Sequence, residues 1–592
     1  MGTELHIVRF YPRFFQILSA AMTKLRIPVG KTNYNAIRRG NYAYADKTHW
    51  LPIFENLYSS YPFIIRPRRF GKSVFMSMIE SYYDCAQADR FEENFRGTYI
   101  YDHKTPLQGK YCVLHLDCSG IDSDNLPLRF ARRIKSRLDK FLTYYDVAGR
   151  ETFQQMSFDS PAELMDTFCQ KFSPVLQNRI LLLIDEYDQF ANDVLSTDPE
   201  QFKRITSAKG FLKNFYAVIK ANADTFFEMI YLTGVTPISL DSMTSGFSIA
   251  TNYSTYPDFA DAFGFTENEV RKIIDETIDF ETSSQTAEQI FARLKELYNG
   301  YCFSPQTRKT VFHSSMCMEY LRCLCELGRE PEGEELLDSS VAVDLSKIHG
   351  ILSLGDTAFV QDVVSRCLKG QSISYTELSK TINLNQNDRL SNTDILTTLL
   401  SMGYLTYDVN TPKALVCPNK TILEQFFGYY FKYLSQFDEV GFDPSVLAGT
   451  STSLAAGNPE PFLRYVEKAL QTSVGLNSSL HLAEAPIQYF ILGAARLLRG
   501  FRATAEEEAL GTGFTDLVLR PTPESGIRHT YLFELKYLSK TAASEKVVAE
   551  KLAEAQRQLG DYGQAAPFKE AEGLVKAVVL FVGTKLQIIR YV

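Results

Sequence analysis

In the first half of the chain, short runs of consecutive apolar residues alternate with longer stretches in which apolar positions recur every three or four residues. Phe63-Ile64-Ile65, Tyr111-Cys112-Val113-Leu114-His115-Leu116-Asp117, Ile180-Leu181-Leu182-Leu183-Ile184 and the run over 228–236 lack strict apolar-polar alternation, which predicts strands covered on both faces. The stretches from about 127 to 175 and over 211–219 have helical spacing, as do Trp50, Leu51, Ile53, Phe54, Leu57 and Tyr58 ahead of the first strand. Strands alternating with helices predict a doubly wound, mainly parallel sheet.

Further on, Thr266 followed by Glu269 makes a capping-box helix start. Tyr298-Asn299-Gly300-Tyr301 predicts a turn with positive φ at Asn299-Gly300. Residues 330 to 450 keep helical periodicity, with a helix over 393–402 stopped by Gly403 and followed by a strand. That pattern fits a small winged-helix-like unit, and since no Lys/Arg stripe marks a recognition helix there, packing is its expected role. Small polar residues over 448–457 predict a linker. Beyond it, 514–520 and 531–536 predict a hairpin, and 547–559 an amphipathic helix ended by Gly560.

Composition narrows this picture. A chain of 592 residues, 45% hydrophobic and 22% charged, suits a soluble protein of about three to four domains. A formal net charge of -8 excludes a generally basic nucleic-acid coat and leaves room only for a local basic channel. Ten cysteines occur without a CxxC pair, and only His313 lies near Cys317, Cys323 and Cys325; reduced thiols in a cytoplasmic location are expected, not disulfides or a metal site. No apolar run approaches the roughly 18 residues of a membrane span, so no membrane association is expected. Residues 10–21 loosely imitate a secretory signal, but Pro12, Arg13 and Gln16 interrupt its apolar core. Residues 1–25 are expected to be an extension, with Met22 an alternative start.

Candidate chemistry begins where the first strand runs into Arg66-Pro67-Arg68-Arg69-Phe70-Gly71-Lys72-Ser73 and an apolar helix. In a P-loop, backbone N–H groups at a helix N-terminus cradle phosphates, the Lys reaches the β- and γ-phosphates, and the Ser or Thr hydroxyl holds Mg²⁺. Arg66 stands where the first glycine of GxxxxGK(S/T) belongs, so the loop cannot rely on positive φ there. The strand over 180–184 ends in Asp185-Glu186, a Walker B pattern: Asp185 holds the Mg²⁺ shell and Glu186 polarises the attacking water. Either motif alone can be an ordinary strand end, while the two together point to nucleoside triphosphate binding, with ATP and Mg²⁺ as cofactors. Thr233, at the tip of the 228–236 strand, is either a γ-phosphate sensor or a plain strand cap. Arg66, Arg68 and Arg69 either meet the nucleotide or pack the loop.

Asp46-Lys47-Thr48, then a helix, then Arg-Pro-Arg-Arg-Phe-Gly-Lys-Ser resembles the AAA-ATPase-like family, whose members commonly carry a C-terminal PD-(D/E)xK nuclease-like domain. The resemblance covers nearly the whole chain, makes the missing glycine a family trait, and matches the Tyr-(Asn/Asp)-Gly-Tyr-x-Phe turn at 298–303. It implies a P-loop domain over 26–330 with a parallel sheet flanked by helices, a helical connector over 331–450, and an α/β restriction-endonuclease-like domain over 451–592.

In that last domain, Glu534 and Lys536 share one face of a strand, with Phe533 and Leu535 toward the core, and Asp516 lies on the neighbouring strand. Asp516, Glu534 and the Leu535 carbonyl offer Mg²⁺ the hard oxygen ligands it needs, and Lys536 can orient water or stabilise charge at phosphate. A surface hairpin with a Glu-Lys pair would look the same in sequence. The resemblance further implies nuclease-site roles for Glu484 on the first helix, for one of Glu506, Glu507 and Glu508 (Glu507 taken as the candidate), and for Gln558 and Tyr562. Relatives usually have Gly-Arg-x-Asp where this chain has Gly513-Phe514-Thr515-Asp516, so a cation near phosphate is lost.

The combined expectation is an ATPase whose nucleotide state gates a Mg²⁺-dependent nuclease acting on DNA or RNA, with DNA favoured and a homo-oligomer possible. The alternative is a nucleotide-driven switch whose nuclease-like domain binds nucleic acid or a partner without cutting. A third is an ATPase with no nucleic-acid role.

Overall fold

The computed structural model describes residues 24–592 apart from 60, 122–124, 196–197, 207–209, 238–249, 284, 332–347, 383, 385–387, 436–443, 474–483, 505–515, 523–524, 541, 564–567, 569–572 and 592. The signal-like segment and Glu507 lie outside the described residues. The chain divides into two compact units. The first draws on Met1–Pro331, Glu335–Asp356 and Ser374–Leu415, and the second on Thr357–Ile373 and Val416–Val592. Residues expected to form a separate connector are thus distributed between the two.

The first unit is built on β1 (Pro62–Ile65), β2 (Cys112–Asp117), β3 (Ile180–Asp185), β4 (Phe227–Gly234) and β5 (Thr251–Asn252), in the order β2-β3-β4-β1-β5. Every neighbouring pair is parallel. All six residues of β3 are buried, as an unbroken apolar strand between helical layers requires. Because β4 lies between β1 and β3, its tip at Thr233-Gly234 separates the loop after β1 from the carboxylates that end β3.

The helices of this unit include α1 (Tyr34–Arg39), α2 (Lys72–Tyr83), α3 (Leu126–Tyr144), α4 (Pro161–Leu176), α5 (Phe211–Ala221), α6 (Glu267–Thr277), α7 (Ala287–Tyr298) and α8 (Ser314–Leu327). The helical stretch expected over 127–175 is interrupted where Asp146 (φ 50°) and Gly149 (φ 84°) turn the chain. After one short helix over Arg150–Gln154 it continues in α4, whose Pro161 follows the capping side chain of Ser160. The Thr266–Glu269 capping box forms as expected, and Thr286 with Gln289 forms a second at α7. In the 299–303 turn Gly300 has φ 100°, whereas Asn299 is extended at φ -82°, so the glycine alone takes the left-handed geometry.

The second unit contains α9 (Lys420–Ser435), α10 (Pro444–Ala455), α11 (Glu460–Ser473), α12 (Glu484–Arg496), β6 (Phe501–Thr504), β7 (Leu517–Pro521), β8 (Thr530–Leu538), α13 (Glu545–Gly563), β9 (Leu574–Val582) and β10 (Lys585–Tyr591). Its mixed sheet runs β10-β9-β8-β7-β6, with β8 and β9 parallel and the other pairs antiparallel. A parallel pair cannot be closed by a tight turn. Helix α13 makes the crossover and buries Leu552, Ala555 and Leu559 against Val518, Leu532, Val578 and Leu580. It runs through Gly560 instead of ending there.

The linker expected over 448–457 is instead mostly the helix α10. Its small residues serve close approach: Thr450 and Ser451 are buried, the Ser451 hydroxyl accepts from Arg499 N, and the Leu454 carbonyl accepts from the Tyr531 hydroxyl. Among the described residues no helix is long and apolar enough to cross a membrane, and the ten cysteines are free thiols.

Close packing in the second unit gives a paired test. A Cβ at Gly493 would stand 2.6 Å from Phe427 Cδ2, whereas one at Gly449 meets nothing within 4 Å. Gly493→Ala is expected to cost about 1–3 kcal/mol by overpacking, and Gly449→Ala to be neutral or to gain up to about 1 kcal/mol of helix propensity. Urea-unfolding midpoints of the two variants check this.

Candidate functional site

The loop after β1 carries its curvature at Arg69 (φ 66°) and Gly71 (φ 94°), with α2 starting at Lys72. Lys72 is buried, and its Nζ donates to the carbonyls of Arg66 and Pro67, both at 3.0 Å. Burial lowers its pKa. Ser73 Oγ donates to Asp185 Oδ2 at 3.0 Å, bringing the ends of β1 and β3 together. Burial raises the Asp185 carboxyl against the pull of Lys72, His115 and Ser73. Its Oδ1 is buried with no hydrogen-bond partner among the described residues. Glu186 adopts φ 53°, and burial pushes its carboxyl up to about 7 with Lys72 opposing.

Arg68, Arg69, Gly71, Lys72, Ser73 and Glu186 are among the residues lining a cavity of about 730 Å³. Val29, Ile37, Tyr44 and Met318 add apolar surface to its wall. A cavity with cationic, hydroxyl-bearing and apolar lining suits the phosphates and base of a nucleotide. The residues also fit Mg²⁺. Ser73 and Asp185 supply hard oxygens, one of them buried and unpartnered, and Mg²⁺ takes only one or two protein oxygens beside phosphates and water.

Three of the expected nucleotide residues are not on that wall among the described residues. Asp185 sits behind Ser73. Thr233 is fully buried in β4, opposite Ile64. Arg66 is 1% exposed and turned inward: its guanidinium donates to the carbonyls of Ile65, Ser254 and Phe259, each at 2.7 Å, and lies 4.4 Å from the Phe303 ring centre. Burial lowers its pKa to about 10. Of the two roles open to Arg66, the geometry is that of loop packing. Arg68 stays at the cavity and pairs with Asp193 at 3.6 Å.

Two sets of residues around this site were not apparent in sequence. Asp188 is buried and accepts from Val235 N, Thr236 N and Thr236 Oγ1, tying the segment after β3 to the tip of β4. Gly234 permits this approach, since a Cβ there would lie 2.3 Å from the Tyr187 ring. At the start of α8, Ser314 Oγ and Ser315 N donate to the Arg69 carbonyl. Phe70 packs on Tyr301, Phe303 and His313, which gives the 298–303 turn its structural task.

In the second unit, Asp516 directly precedes β7, whose Leu517 pairs with Phe533 of β8, so Asp516 and Glu534 come from adjoining positions of neighbouring strands. Asp516 Oδ2 accepts from Leu535 N at 2.8 Å and Oδ1 from Gln488 Nε2 at 3.2 Å. Lys536 Nζ lies 2.8 Å from Glu534 Oε1. Phe533 and Leu535 are buried, as expected, and Glu534 is only 2% exposed, which does not fit the alternative of a surface hairpin with a solvated Glu-Lys pair. Gln488, absent from the expected site, follows Glu484 by one turn of α12, where Glu484 is the first helical residue. Gln558 Oε1 is buried in α13 without a partner among the described residues, and Tyr562 falls in the last turn of that helix. Two carboxylates suffice for Mg²⁺ completed by phosphate and water, although no group of three His, Cys, Asp or Glu suited to a metal occurs among the described residues.

Residues 28–244 match the family described as predicted AAA-ATPase, and residues 482–591 match the PD-(D/E)XK nuclease superfamily. The chain thus carries a region similar to the predicted AAA-ATPase family, followed by a C-terminal region similar to the PD-(D/E)XK nuclease superfamily. It is also similar to an uncharacterized protein in the vnfD 5' region of Azotobacter chroococcum mcd 1, at 29% identity over 255 residues. That alignment covers 42% of this chain and 45% of the relative, so the chain spans less than half the length of the curated relative it matches.

Removing the Arg66 side chain strands the Ser254 and Phe259 carbonyls and leaves a cavity. With about 1–3 kcal/mol lost for each buried group left unpaired, Arg66→Ala is expected to lose about 3 kcal/mol or more of stability in chemical denaturation.

Proposed function

We propose that the first unit binds and hydrolyses ATP, that the second cleaves phosphodiester bonds of nucleic acid, DNA in preference, and that nucleotide state gates the cleavage. The observation that carries the first part is that Lys72, Ser73 and Glu186 line one cavity of nucleotide size, with Asp185 hydrogen-bonded to Ser73. Lys72 would exchange its two carbonyl acceptors for β- and γ-phosphate oxygens, replacing neutral hydrogen bonds by charge-assisted ones. Mg²⁺, when bound beside Ser73 and Asp185, neutralises phosphate charge. Glu186, with its carboxyl near neutrality, accepts a hydrogen bond from the attacking water and orients it.

The second part is supported by the match of residues 482–591 to the nuclease superfamily and by the adjoining placement of Asp516, Glu534 and Lys536. Asp516 and Glu534 are the proposed metal ligands. Lys536, now held by Glu534, is the group that would orient water at the phosphate or stabilise charge there. Reduced thiols suit a cytoplasmic setting.

Plasmid and single-stranded DNA cleavage with Mg²⁺ or Mn²⁺, with and without ATP, tests the whole. Asp516→Ala is expected to abolish cutting, and Lys72→Ala to lose ATP hydrolysis and alter cutting. Equal cutting by Lys72→Ala under every nucleotide condition would remove the gating. A parent protein that hydrolyses ATP but cuts nothing would favour the switch reading.

Glu186 offers an independent check. Glu186→Gln should bind ATP and hydrolyse it about 10²- to 10⁴-fold more slowly. A base must be deprotonated and this carboxyl is raised to about 7, so the parent's turnover should rise with pH up to about 7 and level off above it. A flat profile from pH 5 to 8, taken at saturating nucleotide, would exclude Glu186 as the base.

A further inference from the structure

Helix α3 carries six Arg or Lys residues and one acid, Asp139, in a chain of net charge -8. Its inner side buries Phe130, Ile134, Leu138 and Phe141. At 3.6 residues per turn the opposite side presents Arg129, Arg132, Ser136, Lys140 and Thr143, all exposed. Asp139 lies toward one flank and is neutralised by Lys135 at 2.7 Å, so the outer stripe contains no carboxylate. From Arg129 to Lys140 it extends about 16 Å along the axis.

Asp117 offsets Arg133 and Arg137 on the flank, whereas no acid of α3 stands on the outer stripe with Arg129, Arg132 and Lys140. The first turn also has no acid to complement the helix dipole. A cationic stripe of this kind is complemented when a polyanion covers it. Arg, Lys, Ser and Thr are the side chains that contact sugar-phosphate backbones, and the stripe has no aromatic or aliphatic anchor of the kind that carries a protein interface.

The other flank of the helix leads to the nucleotide cavity. Arg133 donates to the carbonyls of Ser119 at 3.1 Å and Asp117 at 3.3 Å, and Arg137 donates to Asp117 Oδ2 at 2.9 Å. Ser119 and Gly120 form part of the cavity wall. We infer that the outer stripe of α3 docks the phosphate backbone of nucleic acid on the ATPase unit, and that its occupancy acts on the nucleotide cavity through Arg133 and Ser119. This rests on the reading that the chain engages nucleic acid, but not on its cutting it.

The test uses the full chain carrying Asp516→Ala, so that no substrate is consumed. Binding of labelled single-stranded and duplex oligonucleotides is followed by fluorescence anisotropy between about 50 and 200 mM salt. Adding Arg129→Ala, Arg132→Ala and Lys140→Ala together should raise Kd at least about tenfold. The same change should flatten the slope of log Kd against log salt by about 2, because each phosphate that is no longer neutralised takes about 0.7–0.9 off it. DNA stimulation of ATP hydrolysis should fall with it, while hydrolysis without DNA stays unchanged. Arg129→Lys with Arg132→Lys should retain the slope. An unchanged Kd and slope in the triple Ala variant, or an equal weakening in the Lys variant, would overturn the docking surface and leave the proposed function standing. Failure of the Asp516→Ala chain itself to bind either oligonucleotide would overturn both.

Discussion

The nucleotide end of the first unit depends on one buried cation. Arg66 occupies the place where a P-loop ordinarily has a glycine, and a guanidinium inside a protein is tolerated only when its N–H groups find acceptors. Here the two Nη groups find three backbone carbonyls, on Ile65, Ser254 and Phe259, Nε has no partner among the described residues, and the charge lies against the Phe303 ring. One side chain therefore joins the end of β1, the segment after β5 and the turn that follows α7. The loop is clamped from its own floor, leaving the backbone twist to Arg69 and Gly71 further along.

Around that clamp, three acids within four residues meet three different fates, decided by what surrounds each. Asp185 is held by Ser73 beneath the loop. Glu186, thrown into the left-handed region, reaches the cavity wall, where burial makes its charge expensive enough to bring its titration near neutrality. Asp188 turns the opposite way and is neutralised by backbone N–H donors from the tip of β4. Chemically equivalent carboxyls thus become a hydroxyl partner, a cavity-wall acid with a raised pKa and a structural tie.

The second unit handles acids by the same rules on a different sheet. Asp516 is fixed by one backbone and one side-chain N–H, and Glu534 by the ammonium of Lys536, so neither carboxylate is left as an isolated buried charge. Such bonds fix the direction of the carboxylate oxygens.

The order of strands and helices, the two phosphate-site motifs, the capping box at Thr266 and the Asp516, Glu534 and Lys536 hairpin were legible in sequence, because each depends on neighbours within a few residues: unbroken apolar runs, a Gly-Lys-Ser helix start, a period of two along a strand. Direction and partnership were not. That Arg66 turns inward, that Asp188 is buried, that Gln488 meets Asp516, and that the small residues of 448–457 pack a helix where a linker was expected, all depend on segments tens to hundreds of residues away. Local sequence sets what each short segment can form and which groups it carries; only the packed sheet decides which groups lose their water, and that loss makes an arginine a clamp and raises the pKa of a glutamate.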